Sequence, residues 1–171
     1  TRTTINYEHT EQDDVPDGGI PTVGLNGGAV KADTSKFYGS SDDFEEAKSD
    51  AFTIKFEQDI SDDTIFKNTS RYAKTNQEML LTSPFNYDTT ASTVDRRMHA
   101  RWQENEILAN QSNFTTQIQT GMLLHKISTG IELTKESQLT KNYTAQNAQI
   151  TSLYNPTNIS WDALTFSGQK S

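Results

Sequence analysis

Few side chains in this sequence are placed to do covalent chemistry. His9, His99 and His125 fall on separate segments and lack the spacing of metal ligands. The carboxylate pairs Asp13-Asp14, Asp42-Asp43, Glu45-Glu46 and Asp62-Asp63 sit in polar or turn-rich stretches and read as solvated loop charges. With no cysteine there is no thiolate nucleophile, thiolate metal site or disulfide. No nucleophile–base arrangement stands out, so no enzyme activity is expected. Recognition is the chemistry that remains. Phe37, Tyr38, Phe85, Tyr87 and Trp161 are flanked by breakers and polar residues, with no obvious strand to bury them. Arg96 and Arg97 follow directly on a loop. Ligand contact and simple loop packing are the two readings open to these seven residues.

The elements that hold them follow from composition and period. The chain has 171 residues, 32% hydrophobic and 22% charged, with a net charge of -8. Its mean hydropathy is -0.75. So polar a chain could be disordered, but 9% aromatics and 24 threonines favour strands instead. The acidic balance argues against a nucleic-acid partner, which would select a basic face. No apolar run approaches the ~18 residues of a membrane-spanning helix. The opening TRTTINYEHT reads as strand, not as a signal peptide.

Period-two alternation predicts five strands, at about 1–12, 51–60, 64–81, 94–118 and 125–137. In the second, Phe52, Ile54 and Phe56 oppose Thr53, Lys55 and Glu57. Residues 96–111 are rich in helix formers, but Met98, Trp102 and Leu108 hold no helical stripe, so strand is the better reading. Between the strands lie loops 13–50, 82–93 and 140–171, and two short turns. Strands much longer than the usual ~5–6 residues, alternating apolar and polar faces, and connections that alternate long and short all fit an outer-membrane barrel. A soluble β-rich binding or adhesion module is the alternative.

The stretches DVPDGGIPTVG, KFYGSSDDFEEAKSDAFTIKFEQDI, DDTIFKNTSRYAKTNQ and ENEILANQSNFTTQIQTGMLLHKISTGIEL give the chain a family resemblance. It resembles part of the barrel of a TonB-dependent siderophore receptor of the catecholate type, over most of residues 1–140. The resemblance implies an all-β, antiparallel up-and-down transmembrane barrel in the bacterial outer membrane. It implies import of a ferric siderophore, with the TonB complex and the lipid bilayer as partners and iron as cargo, not as a cofactor. Such receptors also have a plug and a TonB box, which this sequence lacks, so residues 1–171 are expected to be an internal barrel fragment. On this reading, Phe52, Ile54, Phe56, Trp102, Phe114, Ile127 and Ile131 face lipid. Arg71, Arg101, Gln103, Gln111, Lys126 and Glu132 face the lumen. A ferric catecholate is anionic and aromatic, so Arg96 and Arg97, with Phe37, Tyr38, Phe85, Tyr87 and Trp161, are the expected contacts.

Overall fold

A computed structural model of the chain describes residues 1–22, 32–88 and 90–170. Residues 23–31 of the long first loop and Thr89 of the second lie outside them. Seven strands form one sheet: β1 (Arg2–Asp14), β2 (Phe44–Ser61), β3 (Thr64–Asp88), β4 (Thr93–Thr120), β5 (Leu123–Tyr143), β6 (Gln149–Ser152) and β7 (Phe166–Lys170). Their order is β1-β2-β3-β4-β5-β7, with β6 paired to β4 off this path, so the sheet is open. Among the described residues there is no helix, including over 96–111. No helix is therefore long and apolar enough to cross a membrane, which says nothing of crossing by strands.

The strands exceed expectation. β4 runs for 28 residues and β3 for 25, several times the usual ~5–6. β2 begins at Phe44, inside the expected first loop, and β3 continues through Pro84 to Asp88. Pro84 lies inside the expected 82–93 loop, yet the strand runs through it. Its fixed φ suits an extended backbone, and it is tolerated wherever no ladder N–H is required. The expected 140–171 loop contains β6 and β7, so the sheet has seven strands where five were expected.

The chain divides into two compact units. The first comprises Thr1–Thr10, Lys48–Thr75 and Glu104–Gln138, and the second Glu11–Ala47, Asn76–Gln103 and Leu139–Ser171. In the first unit, side-chain contacts sort the residues into two faces. Arg71 reaches Glu8 at 3.7 Å and Thr53 at 3.4 Å. Glu57 pairs with both Arg2 and Lys67. The opposite face carries Tyr7 and His9 on Asp50, at 2.6 and 2.8 Å, and Lys74 between Glu104 and Glu106. By alternation this second face also holds Phe52 and Ile54, and both are exposed. Exposed Phe114, Ile118, Ile127, Ile131 and Leu133 extend the apolar surface across β4 and β5. This unit thus buries almost nothing: every residue of β1 is exposed, as is β5 from Leu123 to Gln138.

Two tight turns close the first unit's hairpins. Gln117 N donates to Asp63 O at 2.9 Å, which puts the 62–63 and 121–122 turns at the same end of this unit. Gly121 adopts φ 61°, where a Cβ crowds the following carbonyl. Ser92, in the β3–β4 turn, takes φ 53° without being glycine. Its carbonyl accepts from Leu153 N at 3.0 Å, and Asp88 Oδ1 accepts from Thr90 N and Ala91 N ahead of it.

Left-handed backbone costs a non-glycine residue about 1–2 kcal/mol. Gly121→Val should therefore destabilise the protein by about that amount, and Ser92→Gly should stabilise it by up to about 1 kcal/mol. Denaturant midpoints at unchanged slope read both changes.

Candidate functional site

The second unit holds most of the buried residues and all seven residues of the expected site. Its construction starts at a turn. Gly39-Ser40-Ser41-Asp42-Asp43 closes on itself: Ser40 N donates to Asp43 Oδ2 at 3.0 Å, Asp42 N to Ser40 Oγ at 3.0 Å, and Asp43 N to Ser40 O at 3.2 Å. These short side chains bond their own backbone, which favours turns over strand. A Cβ at Gly39 would lie 2.2 Å from the exposed Phe37 ring and 2.8 Å from Asp43 Oδ2, so a larger residue there would displace both side chains.

A strap, residues 153–161, lies over this turn. It leaves β6, which pairs antiparallel with residues 93–96 of β4. Tyr38 OH donates to Leu153 O, and Ser40 Oγ to Ile159 O at 2.7 Å. Asn158 bonds Ser41 twice, through its side-chain oxygen to Ser41 N at 2.9 Å and through Nδ2 to Ser41 Oγ at 2.8 Å. Asp42 Oδ2 accepts from Ser160 Oγ at 2.6 Å and Trp161 N at 3.0 Å. Trp161 Nε1 donates to Thr82 Oγ1 at 2.8 Å, and Thr82 in turn donates to Asp43 Oδ1 at 2.7 Å.

Two apolar clusters lie beneath. Tyr38, Tyr87, Val94 and Leu153 form one, and Leu80, Met98 and Trp161 the other. Tyr38 is fully buried. Burial pushes its phenol above the usual range, with repulsion from the Asp33 carboxylate adding to the effect. The Asp33 carboxyl is itself held below its usual range by the Ser35 backbone N–H and hydroxyl.

Arg96 is also fully buried. Its Nη1 donates to Thr157 O at 2.6 Å, while Nε and Nη2 have no partner among the described residues. Asp43 supplies the nearby negative charge. A buried guanidinium with two free N–H edges is costly.

The structure separates the expected contacts. Tyr38, Tyr87, Arg96 and Trp161 are buried around the strap, and Phe37 stands exposed beside Gly39. Tyr38 and Trp161 were expected to lack a burying surface; the strap supplies it. Arg97 points the other way from Arg96, as successive strand residues must. Its guanidinium lies 4.1 Å from the centroid of the Phe85 ring. The four side chains Tyr38, Tyr87, Arg96 and Arg97 therefore do not converge. Asp42 and Asp43 are a further correction, because both anchor the strap and Asp43 is 3% exposed. Their signal in the sequence was the Gly-Ser-Ser-Asp-Asp run, a turn-forming pattern. Ser40 belongs to that same run, whereas Thr82 and Thr157 went unnoticed for want of any local signal.

On Arg97's side, His99 bonds Ser83 at 3.0 Å. A cleft of about 610 Å³ there is bordered by Met79, Leu81, Arg101 and Tyr143 among others. Nearby, Lys141 Nζ lies 4.5 Å from the Trp102 ring centroid. Along β4 positions 94, 96 and 98 are buried and 100 and 102 half-buried, while 97, 99 and 101 are exposed, so alternation holds through Trp102 and opposes it to Arg101. Lys141 and Tyr143 meet the same Phe166 ring, and Tyr143 OH donates to Glu78. No group of three metal-ligating side chains occurs among the described residues.

No family model matches the chain. It is 33% identical to the catecholate siderophore receptor Fiu of Escherichia coli K12, over 89% of this chain and 23% of that protein. It is 30% identical to the probable TonB-dependent siderophore receptor PiuA of Acinetobacter baumannii, over 80% of this chain and 19% of the relative. Crystal structures of the ferric-catecholate import receptor Fiu superpose on 98% of the chain with TM-scores of 0.85 for the open form and 0.84 for the closed form, at 31% identity. They cover 29% and 27% of the respective receptor chains. The chain thus spans about a quarter of the length of the proteins it matches.

Thr82 links the strap's indole to the turn's carboxylate. Thr82→Val keeps the shape but removes both bonds, and each buried group left unpaired costs about 1–3 kcal/mol. A lower denaturant midpoint and faster proteolytic cleavage within 153–161 are expected, with Thr82→Ser close to wild type.

Proposed function

We infer the function of this chain from its membership of the TonB-dependent siderophore receptors, of whose barrel it corresponds to a part. The whole protein imports a ferric siderophore across the bacterial outer membrane, with energy delivered through TonB. The siderophore is of the catecholate class, and the protein is a transporter, not an enzyme. The observation that carries this reading is the 33% identity to Fiu over 89% of the chain.

The first unit supports it. A sheet exposed on both faces, with Phe52, Ile54, Phe114, Ile127 and Ile131 gathered on one and the Arg71 and Glu57 ion pairs on the other, suits a wall between lipid and water, although the apolar face also carries the Asp50 and Lys74 contacts. Phe52, Ile54, Phe114, Ile127 and Ile131 then face lipid, while Arg71, Lys126 and Glu132 face the lumen. In the second unit the strap side faces the ligand. Phe37 offers an aromatic surface, Tyr38, Tyr87 and Trp161 shape the floor, and Arg96 holds a positive charge with two N–H groups in reserve. An anionic catecholate complex matches that charge better than a neutral hydroxamate complex does.

In cells lacking their own catecholate receptors, the full-length protein should restore TonB-dependent growth on a ferric catecholate. Failure of that rescue with the receptor present in the outer membrane would sink the reading. Arg96→Gln removes a charge buried beneath the strap, which acts on the ligand by its field and not by direct contact, so it should weaken ferric-catecholate binding by no more than about tenfold and affect a hydroxamate less. Ile54→Arg, on the lipid side, should lower barrel stability by about 2–4 kcal/mol if it lies at the bilayer midplane, measured by reversible unfolding in lipid vesicles.

A further inference from the structure

One side of the first unit changes character at a single level. Asp50 lies on that side with Tyr7 and His9, which meet its carboxylate at 2.6 and 2.8 Å. Ser49 bonds Thr75 at 3.0 Å on the reverse side, which sets Asp50 opposite Lys74 across the β2–β3 pair. Lys74 reaches Glu104 at 2.9 Å and Glu106 at 3.1 Å. Thr115 and Ser128 bond on the reverse side too, so the odd positions of β5 belong with the even positions of β4. Counting from the tight turns, the first carboxylate or ammonium on this side is Asp50 on β2, Lys74 on β3, Glu106 on β4 and Lys135 on β5. The reverse side carries Lys55, Glu57, Lys67, Arg71, Lys126 and Glu132 over the same stretch.

The residues at and within that level behave as an apolar solvent would require. Tyr7 and Tyr72 keep exposed rings on the charge-free stretch, and their hydroxyls donate outward to Asp50 at 2.6 Å and Glu106 at 3.4 Å. An amphipathic ring with one wet end is the signature of a lipid–water interface. Deeper in, neutral polar groups bond one another. Asn68 Nδ2 donates to Asn110 Oδ1 at 3.2 Å and Ser112 Oγ at 2.8 Å, Asn110 Nδ2 donates to Ser70 Oγ at 2.7 Å, and Thr64 and Thr116 share a bond of 2.8 Å. Where no water is present, polar groups must be satisfied within the protein. The length fits as well. The twelve steps from Leu108 to Thr120, the end of β4, cover about 40 Å of strand. At a barrel tilt of about 40° that is about 30 Å of membrane thickness, the depth of a hydrocarbon core.

We propose that the outer edge of the bilayer's hydrocarbon layer crosses this side at the level of Tyr7, Phe52, Tyr72 and Leu108. Acyl chains cover the charge-free stretch, and lipid headgroups surround Asp50, Lys74 and Glu106. This placement rests on the outer-membrane reading above, but not on the identity of the siderophore. It puts Phe114, halfway along the charge-free part of β4, near the bilayer midplane, and Ile54 only two residues inside the edge.

The test uses full-length receptor, freed of any native cysteine and reconstituted in phosphatidylcholine vesicles. A nitroxide is attached at Ser137→Cys, Leu108→Cys, Phe114→Cys or Ala109→Cys, and collisions with oxygen and with a nickel chelate read its depth. The Leu108 label should lie at the hydrocarbon edge, the Phe114 label about 15 Å deeper, and the Ser137 label among the headgroups. The Ala109 label, on the reverse side, should be shielded from lipid. A Leu108 label more than about 5 Å from the edge, two residues of tilted strand, overturns the placement. So does a Ser137 label as deep as the Leu108 label. Labels at Leu108 and Phe114 that are immobilised and closed to both reagents would mean that a protein partner covers this side, which overturns the placement alone. Nickel access at all four positions would overturn the outer-membrane reading together with it. Should Phe114→Cys fail to fold, Ile131→Cys on the same side of β5 takes its place, at about 10 Å below Leu108. Reversible unfolding in vesicles gives a second readout. Relative to alanine at each position, Phe114→Arg should lower stability more than Ile54→Arg, because the cost of a lipid-facing arginine grows toward the midplane. Equal losses overturn the placement.

Discussion

The Asp43 carboxylate, almost wholly buried, organises the strap side of the second unit. One oxygen closes the turn on Ser40 N, and the other receives Thr82, which itself receives the Trp161 indole. A buried carboxylate is tolerated only when its acceptor sites are filled. Filling them fixes the turn, the path of the strap and the orientation of Trp161 together. The same negative charge lies near Arg96 and offsets part of the cost of burying that guanidinium. Without Asp43, Ser40 N and the Thr82 hydroxyl would lose their acceptor, and the turn and the Thr82–Trp161 link would lose their anchor.

The first unit is governed by a different constraint. It has scarcely any interior, so the backbone ladder and cross-strand side-chain pairs are its internal source of order. Such a sheet makes sense only where something else covers it. Lipid against the Phe52–Ile54 face and further barrel strands along its open edges would do so. The ion pairs on the Arg71 face are of the surface kind, each worth about 0–1 kcal/mol. They set polarity more than stability.

Strand alternation made the first unit legible from sequence, because a two-residue period exposes both faces at once. Phe52, Ile54 and Phe56 opposite Thr53, Lys55 and Glu57 define β2 without any tertiary information. The ends of the strands were not legible. β2 extends back to Phe44 through residues whose alternation is blurred by Glu45-Glu46, and Pro84 concealed the last part of β3. The family could be read from combined stretches, none of them diagnostic alone. The site was legible by residue type but not by grouping. Tyr38, Trp161 and Arg96 were singled out, yet their neighbours Leu153, Thr82 and Thr157 come from positions 61 to 115 residues away. No local rule brings such distant residues together. The opposed directions of Arg96 and Arg97, by contrast, followed from the strand itself.

The way the strap is fastened bears on how this protein can change over generations. Three of its anchors, at Leu153, Thr157 and Ile159, are main-chain carbonyls. The side chains of Tyr154, Asn155 and Thr157 are exposed. Backbone oxygens are present whatever residue is encoded, so mutation at those exposed positions leaves the fastening in place. Selection by phage or antibody could then rewrite the outer surface of the strap while its course over Arg96 stays constant. The same freedom does not extend to Asn158, whose own amide makes two of the bonds. Sequence drift on this surface should therefore be uneven, loose at 154, 155 and 157 and tight at 158.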